Sequence, residues 1–117
     1  MQYLLSKEDL KVQFTVPDFV IKTQQQIAKD FAIISYRFDD SFVEEERSYE
    51  DILDVVTSQV IEIMKLGETT LLQLLYQIDI PQSLFLDATT KPDFASIISE
   101  MIIQREAYKV FLREKFK

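Results

Sequence analysis

A chain of 117 residues with a single glycine, Gly67, has few ways to turn sharply. Hairpin turns and β-bulges call repeatedly on positive φ, which glycine adopts without strain. A sandwich or barrel of many short strands needs such positions at corner after corner. This sequence therefore points to long helices joined by short links. Its apolar fraction, 47%, is that of a folded chain. A chain of this length buries roughly two-thirds of its unfolded surface, enough for one core. The expected architecture is all-α: a single-domain helical bundle over 1–117, with four main helices and a short N-terminal arm.

Missing residue types narrow the function. There is no histidine and no cysteine. The usual neutral-pH acid–base, the commonest transition-metal ligand and every thiol reaction are thereby lost. One glycine cannot build a phosphate-cradling loop. Carboxylate, Lys, Ser and Tyr chemistry survives, and no cofactor is implied. No apolar run reaches the roughly 18 residues a membrane span needs. The start, MQYLLSKEDL, lacks the basic region and apolar stretch of a secretion signal. A cytoplasmic location is expected.

Periodicity and punctuation place the elements. Val12, Phe14 and Val16 alternate as in a strand, whereas Ser6-x-x-Asp9 reads as a helix cap. Residues 1–14 are taken as an arm packed on the helical body. Thr15-Val-Pro-Asp-Phe19 and Thr90-Lys-Pro-Asp-Phe94 spell two helix starts almost alike, with threonine expected to accept from a first-turn amide. The first helix should run from Pro17 to Tyr36. Val20, Ile27, Phe31, Ile34 and Phe38 form its apolar stripe, and Thr23–Gln26 lie mostly on its wet side. A second follows Ser48 and stops at Gly67. A third, Glu68 to Asp79, is apolar nearly all round and should be the most buried. Residues 82–87 read as one further helical turn. The last begins near Pro92 and ends in basic residues that suit the helix dipole.

The charge is concentrated. Of 20 acidic residues, eight fall within 39–54, DDSFVEEERSYEDILD, where Arg47 is the one base. The rest of the chain balances at twelve of each sign, so this stretch carries the entire net charge of −7. A calcium loop needs a central glycine and alternating carboxylates, and di-iron bundles need Glu-x-x-His pairs. Neither pattern is present, so divalent-cation binding is disfavoured. Residues 39–48 read as a solvated acidic loop leading into a capped helix. Asp39, Asp40, Glu44, Glu45, Glu46, Glu50 and Asp51 would form a patch that steers a basic partner. Nucleic acid is disfavoured by the same charge.

Three further residues are candidates for a ligand site: Tyr76, Asp79 and Glu100. Asp79 lies between isoleucines next to Tyr76, where burial would raise its pKa. The competing reading is that Asp79 closes a helix ahead of Pro81. The segment 74–81, LLYQIDIP, resembles small all-helical bacterial proteins with a Leu-Tyr-x-Ile-Asp segment. That resemblance implies a helical fold and no activity. The aromatic and Met positions Phe31, Phe38, Met64, Tyr76, Met101, Tyr108 and Phe111 recur at helical spacing and are expected in the core.

The function expected is that of a small acidic interaction protein: an adaptor, an inhibitor or a self-associating bundle, without evident catalysis. A homodimer through the last helix would leave the acidic patch free. The alternative is a small-ligand binder or carboxylate-based enzyme with polar groups in the bundle interior.

Overall fold

The computed structural model describes residues 6–116. They form seven α-helices and one 3-10 turn, with no strand among the described residues. In order these are α1 (Lys7–Gln13), α2 (Pro17–Phe31), the 3-10 turn (Ala32–Ile34), α3 (Asp40–Glu44), α4 (Tyr49–Leu66), α5 (Glu68–Ile78), α6 (Gln82–Ala88) and α7 (Phe94–Lys115). The fold is all-α. It has more helices than the four expected from periodicity, because α1, α3 and α6 are too short to show a period. No helix among the described residues is long and apolar enough to cross a membrane.

Local chemistry explains most of the boundaries. Ser6 Oγ accepts from the Asp9 amide at 3.1 Å and starts α1, overriding the strand-like alternation. Leu10 is then buried, and Phe14 packs edge-on against Phe19 and Tyr49. Residues 1–5 of the expected arm lie outside the described residues. Ser48 Oγ accepts from the Asp51 amide at 3.1 Å and starts α4. Gly67, at φ 123° and ψ 156°, ends α4 and leads straight into α5. That backbone region is accessible essentially to glycine alone.

The two Thr-x-Pro-Asp-Phe signatures work differently from their reading as caps. Thr15 Oγ1 donates to the Val12 carbonyl at 2.7 Å, and Thr90 Oγ1 donates to the Asp87 carbonyl at 2.8 Å. Each hydroxyl therefore closes the helix before it; neither opens the helix after it. The orphan carbonyls at a helix end compete for the same hydroxyl that a first-turn amide would use. The first helix also ends earlier than Tyr36. It tightens into the 3-10 turn and is deflected by Ser35, at φ 62°. Beyond the turn, Tyr36, Phe38 and Phe42 join Phe31 in one aromatic cluster, with Phe38 and Phe42 stacked at 4.5 Å. The chain leaves the helix to bury those rings.

The central element is α7, which packs against α1, α2, α4, α5 and α6. It encloses Ile98, Ile102, Ile103, Ala107 and Val110. A fully buried isoleucine contributes about 2–3 kcal/mol, so this column is a large share of the core. These five residues of the last helix are thus used inside the molecule, while Ile97, Met101, Tyr108 and Phe111 pack against the core and stay partly exposed. The expectation that α5 is the most buried helix is overturned. It buries Leu71, Leu74, Leu75 and Ile78, but leaves Thr69, Gln73, Tyr76 and Gln77 exposed. Met64 and Tyr76 are outside the core, whereas Phe31 and Phe38 are within it.

Candidate functional site

The acidic stretch is built on α3 and the start of α4. Asp39, Asp40, Glu44, Glu45, Glu46, Glu50 and Asp51 are all exposed. Between them Phe42 turns inward and is buried. Arg47, the one base, is spent on the protein itself. Its guanidinium lies over the Phe42 ring at 5.7 Å and donates to Ser41 Oγ at 3.1 Å. It also sits 3.7 Å from Asp51, a partly exposed contact of little energetic weight. The outward surface of the stretch is therefore almost purely negative. Among the described residues no three carboxylates converge as a metal ion would need.

What holds this surface is a glutamine that the sequence pattern assigned to solvent. Thr23, Gln24 and Gln26 are buried. Gln24 is fully enclosed, and its amide Nε2 donates to the carbonyls of Phe42 at 2.6 Å and Glu45 at 2.8 Å. Its Oε1 accepts from the Arg47 amide at 3.0 Å. One side chain on α2 thus satisfies three backbone groups of segment 42–47, which would otherwise be orphaned below the surface. Gln25 adds a longer bond to the Val43 carbonyl at 3.3 Å. The expected wet loop is a short helix and a tied turn. Polarity alone could not reveal this, because a buried glutamine with partners looks in sequence like an exposed one without them.

A second polar cluster lies between α2 and α7. Glu106 is 0% exposed and Asp30 4%. Lys109 Nζ donates to Asp30 Oδ2 at 2.7 Å and lies 3.1 Å from Glu106 Oε1. Gln26 donates to Asp30 at 3.2 Å and accepts from Arg113 at 3.0 Å. Neither Glu106 oxygen accepts a well-directed hydrogen bond. A buried carboxylate left so is costly, but a protonated Glu106 becomes a donor and can bond Asp30. Burial and the neighbouring Asp30 push the Glu106 pKa up to about 9, against the pull of Lys109. Burial would raise Asp30 too, but bonds from Glu106 and Lys109 outweigh it and hold Asp30 below the usual carboxylate range. The pair therefore carries one proton and one negative charge, balanced by Lys109. Sequence reasoning missed it. The available signal was Glu106 within the apolar register of the last helix.

The three ligand-site candidates do not come together. Tyr76 is exposed on α5. Asp79 caps α5 at φ 78°, and its carboxylate pairs with Arg105 at 3.0 Å. Arg105 Nε also donates to the Ile78 carbonyl at 3.2 Å. Glu100, on α7, borders a small apolar depression with Leu10, Lys11, Phe14, Tyr49 and Glu50. Burial, with Glu100 and Glu50 nearby, pushes the Tyr49 hydroxyl up to about 12, so it stays protonated. Compared with known protein families, curated proteins and solved structures, the chain matches none.

Proposed function

We propose that this chain is a small cytoplasmic interaction protein, without catalysis of its own, that presents a pre-ordered acidic surface to a basic protein partner. The supporting observation is the Gln24 tie. A mobile acidic loop would raise encounter rates but lose entropy on docking. A surface already held in place avoids much of that loss. The charge distribution adds to this: the stretch carries the whole −7 of the chain, and its one base faces the protein. The same charge disfavours nucleic acid.

The test is low-salt capture from a lysate of the source cells, comparing wild type with Glu44→Gln/Glu45→Gln/Glu46→Gln. A basic protein should be retained stoichiometrically by wild type and released as salt rises. The triple variant should associate more slowly while folding normally. Undiminished capture by the variant, or no basic partner at all, would sink the reading.

A second reading, a carboxylate-based enzyme or ligand binder, has one observation in its favour: the proton-sharing pair Asp30 and Glu106. Glu106 is fully enclosed between α2 and α7, so a substrate would reach it only if those helices part.

A further inference from the structure

We propose that the depression between α1, α4 and α7 is the pocket in which a basic partner seats a lysine side chain. This deepens the reading of 39–51 as a surface for such a partner, and rests on it. The two sites are continuous, because Glu50 belongs to the acidic surface and also borders the depression. The hollow measures about 170 Å³. Sites for drug-sized ligands run from roughly 300 to 1,000 Å³, so this one suits a single side chain.

The lining selects that side chain. Leu10, Phe14 and the ring of Tyr49 make an apolar floor. Leu10 is buried, and the Phe14 and Tyr49 rings meet edge-on at 5.8 Å, so the walls are packed in place. The carboxylates of Glu50 and Glu100 stand at the border. Burial pushes the Tyr49 pKa up, and Glu100 and Glu50 push it further, so both carboxylates act on the hollow. An anion is repelled there, and a short cation would leave the apolar floor bare. Lysine matches both parts: four methylenes that lie along apolar surface, and a compact ammonium at their end. Arginine has a shorter stem and a broad planar head that calls for a bidentate partner.

Lys11 is the one cation among the described residues of the border, and it is exposed. Its charge opposes an incoming ammonium, whereas that of Glu50 attracts it. The two border residues therefore act with opposite sign on a bound lysine. A purely structural role for either would give no such opposition.

An amide NMR titration of the full chain with n-butylammonium, which is the lysine side chain in isolation, tests it. n-Butanol and pentanoate serve as neutral and anionic controls. Butylammonium should shift the amides of Leu10, Phe14, Tyr49 and Glu50 saturably, with a Kd on the order of millimolar for so small a ligand. Butanol should bind about threefold more weakly or worse, and pentanoate not at all. Glu50→Gln should weaken butylammonium about threefold and Lys11→Gln should tighten it by a similar factor, the size of an exposed charge contact. Glu44→Gln/Glu45→Gln/Glu46→Gln should bind it as wild type does, so failure of this pocket and failure of capture by the acidic surface are read separately. Equal binding of butanol, or no saturable shift at these amides, would overturn the proposal even where a basic protein is still captured. So would Glu50→Gln and Lys11→Gln variants that both bind like wild type, or a triple variant that no longer binds.

Discussion

Glu106 shows how one buried proton sets a pH dependence. Its native pKa, about 9, lies above the ordinary 4.5. Across that window the native state holds a proton that the unfolded chain has released. The stability tied to this proton is complete below the ordinary value and is lost as pH rises toward the native one. The loss is at most about 1.4 kcal/mol per pH unit. Asp30, held below its ordinary 3.8, works in the opposite sense and loses its contribution only in acid, below that value. Glu106→Gln keeps a donor toward Asp30 but cannot titrate. Urea midpoints at several pH values across the window should fall steadily for wild type and much less for Glu106→Gln. Parallel curves would mean that Glu106 is ionised in the native state.

At the scale of elements, the question is how far each helix is specified by its own residues. The starts of α1 and α4 are, since Ser6 and Ser48 bond amides three residues on. The end of α4 is too, since Gly67 supplies a backbone angle other residues resist. The ordering of α3 is not local. It depends on Gln24, which lies 18 residues before Phe42. Gln24→Ala should cost about 2–3 kcal/mol, because buried backbone groups lose their partners. Hydrogen exchange should accelerate across 42–47 while α4 stays protected. The variant keeps every charge. If a basic partner binds it as fast and as tightly as wild type, charge alone suffices and the ordering is incidental to binding.

At the scale of the molecule, stability should be concentrated around α7, where five other helices meet. Ile102→Ala, at a fully buried position, should cost about 3–4 kcal/mol, measured by urea denaturation. Ile61→Ala, at a position 44% exposed on α4, should cost about 1 kcal/mol or less. Comparable losses at both sites would contradict a core organised on the last helix. The sequence by itself determined the helical class, the serine caps, the Gly67 joint and the location of the negative charge. Each of these depends on residues within a few positions of one another or on composition. Only the tertiary structure decided that Gln24 and Glu106 are enclosed, that α5 keeps an open side, and that the paired threonines close helices. Those outcomes depend on which neighbour arrives to supply a hydrogen-bond partner or to cover a face. A pattern of polarity along one chain does not record that arrival.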